Sequence, residues 1–451
     1  MHNFRNRLIS FEGKHLRKLT KTQYYKLFLA VPTKIISPLK WAEIVSFLQS
    51  QTVYYDQAEL AIKTELAQTR ILLPENNETD DGDIHLDFKE MAEKYGYSVE
   101  ERNVTTTDGY VLAMYRMKGD GPPVLLMHGV MTCALDWIVN GPELALGYFL
   151  ADKGYDVWFG NVRGSRYSMV NTEYSDQCAE FWDYSWHEMG IYDLPAMVDS
   201  ILKETGKSKL SYVGLSQGTT MSYVLCSERP EYNDKFNVII SLAPIAWMSH
   251  CKSPLIRLLS LEPDLIYTLI SLLGVHNSAP KDNPLINTVM NILCANNIVS
   301  KFLCSNVAFL TFGFDSGQIN MNNLPIFMAY LPSGASAKEV THYGQEVKSA
   351  RFRQFDYGTN KNLKVYGSVN PPDYKVKNIK APVALFYSYA DWISNVTDVN
   401  ILAGKLPNVV YKQSCENYNH ADYVGRLDRL ARVRARKAHS TCGQFRGNTR
   451  V

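Results

Sequence analysis

Gly214-Leu215-Ser216-Gln217-Gly218 joins a short apolar stretch, residues 210–213, to a helix-like stretch, residues 219–225. A serine between glycines at a sharp strand-to-helix turn is held in a strained conformation, with its hydroxyl exposed at the end of a sheet. The pentapeptide alone is weak evidence, because a chain with 27 glycines produces such matches by chance. The flanking segments supply the context that the motif requires. We therefore predict that Ser216 is a nucleophile and that Gly214 and Gly218 give its turn the space it needs.

The same alternation of short apolar runs and helical stretches continues on both sides of the turn. Runs that are buried on both faces are typical of parallel strands. They cover residues 124–127, 156–159, 210–213, 237–242 and 382–387, and a hairpin with its turn at 107–110 precedes them. The sequence therefore predicts an α/β fold, with a mostly parallel sheet flanked by helices.

Changes in composition divide the chain into five predicted segments. They are a basic leader with an acidic linker (1–83), the first part of the α/β core (84–245), a helical cap with a lid (246–373), the second part of the core (374–425) and a basic tail (426–451). With 451 residues and 46% hydrophobic content, the chain can bury a large core. A formal net charge of +2 gives no case for a nucleic-acid partner.

A serine hydroxyl needs a base to take its proton and a carboxylate to orient that base. On a sheet of this kind the order along the chain is serine, acid, histidine. His420 fits as the base because it follows a predicted last strand at 406–412. The other downstream histidines lie in the cap or the tail: His250, His276, His342 and His439. Asp391, on the loop after 382–387, is the predicted acid, and Asp398, in the following predicted helix, is the alternative.

The oxyanion formed during attack needs N–H donors that are already in position. One comes from the residue after the nucleophile, Gln217, and the other from the loop after an earlier strand. His128-Gly129-Val130 follows the strand at 124–127, so the N–H of Val130 is the predicted second donor. His128 is predicted to support this loop.

The sequence gives no evidence for a metal or a cofactor. His187-Glu188 lacks a second histidine four residues on, so a polar helix face is the better interpretation. Residues 160–164 lack the G-x-G-x-x-G pattern of a dinucleotide site. We predict that neither is bound.

Several segments together carry a family resemblance: residues 128–130, 156–164, 181–196, 214–218 and 418–420, with 313–315 and 355–358 inside the cap. Together they resemble the acid lipases, the gastric and lysosomal lipase family with its insect relatives, which have the α/β-hydrolase fold. The resemblance extends from about residue 84 to about residue 422. It implies a lipase that cleaves carboxylic esters of neutral lipids, such as triacylglycerols or sterol esters, at an oil-water or micelle interface.

The resemblance also implies a lid at about residues 278–306, a disulfide between Cys294 and Cys304, and a secreted or lysosomal glycoprotein. Three sequons begin at Asn77, Asn103 and Asn395. No convincing signal peptide is found, since the apolar run 27–31 is short and ends at Pro32. No run approaches the roughly 18 apolar residues of a transmembrane helix.

Two other functions remain open. The basic segment after His420 departs from the family pattern, which motivates the hypothesis of a catalytically silent lipid-binding protein on the same fold, although the intact Ser216 weighs against it. The third hypothesis is an esterase for short, soluble esters.

Overall fold

The computed structural model describes residues 83, 86–272, 276–277, 311–313, 326, 329–415 and 418–425. The chain divides into two compact units, Met1–Asn77 and Glu78–Val451, and every described residue lies in the second. The predicted leader up to residue 82, the lid with Cys294 and Cys304, the sequon at Asn77 and the tail 426–451 all lie outside the described residues.

Within the described residues, nine strands form one sheet in the order β1-β2-β4-β3-β6-β7-β8-β9, and the short β5 pairs with β2. The strands are β1 Glu100–Thr105, β2 Tyr110–Met117, β3 Pro123–Met127, β4 Asp156–Gly160, β5 Val170–Asn171, β6 Leu210–Leu215, β7 Phe236–Leu242, β8 Val383–Tyr387 and β9 Val409–Ser414. Strand β2 pairs antiparallel with β1, β4 and β5. The remaining pairs, β4–β3, β3–β6, β6–β7, β7–β8 and β8–β9, are parallel. The predicted mostly parallel α/β sheet is confirmed.

The apolar runs form strands because both faces of the sheet are covered. In β3, Leu125 and Met127 pack into one buried cluster and Val124 and Leu126 into the other. Alternate side chains of a strand point to opposite faces, so these are two core layers, one on each side of the sheet.

Helices cover both layers. The described α-helices of four or more residues are α1 Phe88–Lys94, α2 Leu146–Asp152, α3 Leu194–Thr205, α4 Gln217–Glu228, α5 Pro254–Leu259, α6 Pro263–Leu272, α7 Ala337–Ser349, α8 Thr359–Tyr366, α9 Val396–Lys405 and α10 Asp422–Gly425. Apolar residues of α3 and α4 pack on the face that includes Leu125, and those of α1 and α2 pack on the other. None of the helices within the described ranges combines the length and apolarity needed to span a membrane.

Helices α5 to α8 lie within the segment predicted as the cap. Helix α7 is buried along much of its length, including polar residues, and packs on α5 and α6. His342 of α7 stacks on Trp186 with ring centroids 3.8 Å apart. This contact ties α7 to the segment just before α3.

Two sequons fall in described residues. Asn103 lies in the edge strand β1 and is exposed. Asn395 is 3% exposed, and its side-chain oxygen caps α9 by accepting the N–H of Thr397 at 2.9 Å. A glycan at Asn395 would require this almost fully buried side chain to leave the helix cap, and glycosylation at this sequon stays a prediction.

Candidate active site

The turn between β6 and α4 presents Ser216 in a conformation that side chains rarely adopt. Its φ is 50° and its ψ is −112°, and its N–H donates to the carbonyl of Leu242 at 3.0 Å. A Cβ added to Gly214 would lie 2.6 Å from the backbone of Gly218, and one added to Gly218 would lie 2.5 Å from the carbonyl oxygen of Met127. Both glycines are therefore required by backbone packing.

A buried threonine braces this turn. The Thr219 hydroxyl donates to the carbonyl of Ser216 at 2.6 Å and accepts the N–H of Ile245 at 2.9 Å. The strained residue is thus tied to the chain that leaves β7. Sequence reasoning missed Thr219, because nothing in its helical context indicates a long-range partner.

Ser216, His420 and Asp391 converge at the carboxyl ends of their strands. Nε2 of His420 lies 2.8 Å from Oγ of Ser216, and Nδ1 lies 2.9 Å from Oδ2 of Asp391. A carboxylate only accepts, so Nδ1 carries the hydrogen and Nε2 is free to accept the serine proton. All three residues are at most 8% exposed. The arrangement can activate the hydroxyl for attack on an ester or amide carbonyl.

The loop after β8 fixes the Asp391 carboxylate. Its Oδ1 accepts the N–H groups of Ile393 and Ser394, each at 2.8 Å. The Ser394 hydroxyl donates in turn to the carbonyl of Pro244 at 2.7 Å. These backbone donors fix the orientation of the carboxylate, so Asp391 can hold His420 in one tautomer and stabilise its imidazolium.

The His420 loop is held by backbone contacts with residues 312–313. The carbonyl of Phe312 accepts the N–H of His420 at 3.2 Å and that of Trp392 at 3.3 Å. The Asn419 amide donates to the carbonyl of Gly313 at 3.4 Å. A Cβ on Gly313 would lie 2.4 Å from the carbonyl oxygen of Ala390, so this close approach requires glycine. Residues 312–313 therefore join the acid loop to the histidine loop.

Reciprocal hydrogen bonds stabilise the histidine loop from within. The Asn419 side-chain oxygen accepts the N–H groups of Ala421 and Asp422 at 2.8 and 3.1 Å, and the Asp422 carboxylate accepts the N–H of Asn419 at 2.6 Å. The Asn140 amide donates to the carbonyl of Val424 at 2.9 Å. His420 is therefore anchored by contacts within residues 418–425 and by one contact from Asn140.

The loop after β3 lies beside the serine. A Cβ on Gly129 would be 3.5 Å from Cβ of Ser216. The Gly129 carbonyl accepts from His128 Nδ1 at 2.8 Å and from the Thr132 hydroxyl at 3.0 Å, and His128 Nε2 accepts the N–H of Val162 at 3.3 Å. Burial lowers the pKa of His128 to about 4, because it disfavours the charged imidazolium. His128 therefore stays neutral and holds the loop down to mildly acidic pH.

The other candidate residues bind elsewhere. Asp398 accepts from the N–H of His250 at 2.8 Å and from Nδ1 of the same histidine at 2.7 Å. His342 lies 3.0 Å from the Ser185 hydroxyl and 2.9 Å from the Arg353 carbonyl. His276 contributes a backbone carbonyl to the start of α7, and His439 lies outside the described residues. In the described ranges, no group of three or more potential ligands is arranged to hold a metal.

Comparisons with known proteins identify the fold and the family of the chain. Residues 122–426 match the family model for the alpha/beta hydrolase fold, and residues 88–141 match that for a partial alpha/beta-hydrolase lipase region. Lipase 1 of Drosophila melanogaster is 38% identical over 350 residues, covering 77% of this chain and 77% of that protein. Gastric triacylglycerol lipase of Bos taurus is 35% identical over 353 residues, covering 76% of this chain and 88% of that protein. Lysosomal acid lipase/cholesteryl ester hydrolase of Homo sapiens is 34% identical over 358 residues, covering 77% of this chain and 88% of that protein.

The family-model match extends over more than half of the chain, and the relatives are matched over most of it. The chain therefore belongs to the α/β-hydrolase fold and, within it, to the family of gastric and lysosomal acid lipases.

Proposed function

We propose that this protein is a serine-dependent lipase that hydrolyses carboxylic esters of neutral lipids, such as triacylglycerols or sterol esters. The observation that carries the proposal is the hydrogen-bonded chain from Ser216 through His420 to Asp391, with distances of 2.8 and 2.9 Å. Relatives named as triacylglycerol lipase and cholesteryl ester hydrolase support the substrate class.

In the proposed reaction, Ser216 Oγ attacks the ester carbonyl while His420 Nε2 takes its proton. The carbon-oxygen bond to the alcohol then breaks, and His420 gives its proton to the departing alcohol. Water, activated by the same histidine, attacks the acyl-enzyme and releases the fatty acid and free Ser216. Asp391 stabilises the imidazolium in both steps.

The backbone N–H groups of Val130 and Gln217 are the proposed oxyanion donors. In a trans peptide the carbonyl and the following N–H point in opposite directions. Since His128 and Thr132 bind the carbonyl of Gly129 from one side, the N–H of Val130 points to the other. The N–H of Gln217 lies in the first turn of α4, where helical N–H groups are left unpaired.

Hydrolysis measured on emulsified triolein, emulsified cholesteryl oleate and dissolved p-nitrophenyl butyrate tests the proposal. We expect the parent protein to prefer an emulsion and Ser216→Ala to lose at least about 10⁴-fold in turnover. Ser222→Ala alters a buried serine of α4, the helix that follows Ser216. It is the matched control and should remain active. Equal hydrolysis by Ser216→Ala would refute the mechanism. Activity confined to the dissolved ester would favour the short-chain esterase, and a folded, inactive parent the silent lipid-binding protein.

We also infer a secreted or lysosomal location, supported by the relatives' names and by the exposed sequon at Asn103. Expression in animal cells followed by glycosidase treatment tests this. A mass decrease that is smaller in Asn103→Gln than in the parent protein is the expected result. An unglycosylated protein retained in the cytosol would contradict the inference.

A further inference from the structure

Met131, the residue after the proposed oxyanion donor Val130, has an unfavourable backbone conformation. Its φ is 60°, which lies in the left-handed region that residues with a Cβ rarely adopt. A conformation of this kind persists only where the surrounding structure holds it. Contacts from other parts of the fold are therefore expected at Met131.

The contact that holds Met131 comes from residues 331–335, which precede α7 in the segment predicted as the cap. The N–H of Ser333 donates to the carbonyl of Met131 at 2.7 Å. Ser333 is 2% exposed, so little water competes for this hydrogen bond. The loop after β3 is thus tied to a segment about 200 residues later in the chain.

A glycine contact fixes segment 331–335 on its other side. The φ of Gly334 is 98°, and a Cβ added there would overlap the carbonyl oxygen of Gly164, so only glycine fits. Gly164 lies in the loop after β4. The same loop supplies the N–H of Val162 that donates to His128. Segment 331–335 is therefore seated against the loop that supports His128, and its position is set independently of Met131.

Val130 lies between two carbonyls that the rest of the fold holds. His128 and Thr132 bind the carbonyl of Gly129, and Ser333 binds that of Met131. Because each peptide unit is planar, the direction of the Gly129 carbonyl sets that of the next N–H. Holding the second carbonyl as well leaves the residues between them little freedom to rotate.

We propose that Ser333 is a positioning residue whose N–H holds Met131, and with it the N–H of Val130, in the conformation that binds the transition state. The inference rests on the proposed function, in which the N–H of Val130 binds the oxyanion. Without the bond from Ser333, Met131 relaxes toward negative φ and the donor turns away from the reacting oxygen. A segment that precedes the cap helix α7 thereby helps to form the oxyanion hole.

The rate at which a fluorophosphonate modifies the serine, measured from pH 5 to 9, tests this role, because the phosphonyl oxygen takes the place of the ester oxyanion. Ser333→Pro removes the N–H, and we expect its plateau rate to fall at least about tenfold. The pH midpoint of the rate, which reports the state of the base, should not move. Ser333→Ala is the matched variant that keeps the N–H and loses the hydroxyl, which accepts the N–H of Arg166 at 3.4 Å. Its rate should fall at most about threefold.

A second substitution at Met131 supplies a rescue that a merely structural role would not show. Glycine adopts positive φ about as readily as negative φ, so Met131→Gly removes the need for the bond from Ser333. Added to Ser333→Pro, it should restore the rate at least about threefold. Ala350→Gly is the matched control, since Ala350 also has a positive φ, of 55°, but at the end of α7. Added to Ser333→Pro, it should restore nothing.

Hydrogen exchange of the parent protein gives a readout that needs no variant and decides the matter if Ser333→Pro does not fold. Coupling between two sites is reciprocal, so phosphonylation of Ser216, which fills the oxyanion hole, should slow exchange of the Ser333 amide. Mass spectrometry of peptides that cover residues 331–336 measures this change.

Unchanged exchange would overturn the positioning role. The same conclusion would follow from a folded Ser333→Pro that reacts at the parent rate, from equal losses in Ser333→Pro and Ser333→Ala, from a shifted pH midpoint, or from equal effects of Met131→Gly and Ala350→Gly. The proposed function survives each of these results, because the parent still reacts. A parent protein that reacts at no pH would overturn the proposed function and this inference with it.

Discussion

Ser216 and His420 reach the same site by different means. The shape around Ser216 is set within five residues, where Gly214 and Gly218 allow backbone contacts that any Cβ would prevent. His420 lies on a loop whose position depends on the carbonyls of Phe312 and Gly313, more than a hundred residues earlier in the chain. The proposed nucleophile is a local feature of the sequence, and the position of the proposed base depends on tertiary structure.

This difference explains why the two residues tolerate change differently. Substitutions at the serine turn act through steric overlap, which the surrounding core cannot relieve. Substitutions around His420 remove single hydrogen bonds, so each one lowers the stability of the loop by a limited amount. Variants at the two sites distinguish steric overlap at the serine turn from loss of hydrogen bonds in the histidine loop.

The largest effect should come from the residue that orients the base. Asp391→Asn keeps the shape of the acid but reverses the hydrogen bond to His420, and we expect turnover to fall by about 10⁴-fold. The matched control is Asp398→Asn, since the Asp398 carboxylate binds Ser249 and His250. It should retain activity within about tenfold of the parent. The reverse ranking of the two variants would reassign the acid.

The next effect should come from steric overlap at the serine turn. Gly218→Ala brings a Cβ to within 2.5 Å of the carbonyl oxygen of Met127, and we expect a cost of about 1–3 kcal/mol in the free energy of unfolding. Turnover should fall more than about 100-fold, because a displacement of about 1 Å at the reacting atom has that cost. Gly404→Ala, in α9 with no atom within 4 Å of the added Cβ, is the control for denaturant unfolding and kinetics. Similar behaviour of both variants would argue against a sterically fixed turn.

Sequence reasoning was most successful where structure depends on neighbouring residues. The parallel strands follow from short apolar runs, and the turn at Ser216 follows from its glycines. The brace from Thr219 and the carbonyls of residues 312–313 were missed. Both join segments that are far apart along the chain, and hydroxyl or backbone partners at such distances leave no periodic signal in the sequence.

Asn395 illustrates a different limit. Its sequon predicts a glycan, but the same asparagine is a favourable helix N-cap, and the cap residue of α9 is buried. A local motif therefore has two interpretations, and only the tertiary environment separates them.

The smallest effect should come from loosening the histidine loop. Asn419→Ala removes two accepted N–H bonds and the donor to Gly313, which we expect to lower kcat by about tenfold with little change in KM. Asn408→Ala, which removes an exposed bond to the Lys380 carbonyl, is the control. Steady-state kinetics of both variants measures the difference. An unchanged kcat in Asn419→Ala would mean that the remaining contacts, from Phe312, Asp422 and Asn140, suffice to hold the loop.

The central claim is that Ser216 is made nucleophilic by His420 and Asp391. Labelling the intact protein with a fluorophosphonate, followed by peptide mapping, tests it most directly, because the reaction requires the activated hydroxyl and no lipid substrate. The account predicts a single adduct on Ser216 that forms in the parent and is almost abolished in Asp391→Asn. An adduct on another residue, or equal labelling of Ser216 in both proteins, would contradict it.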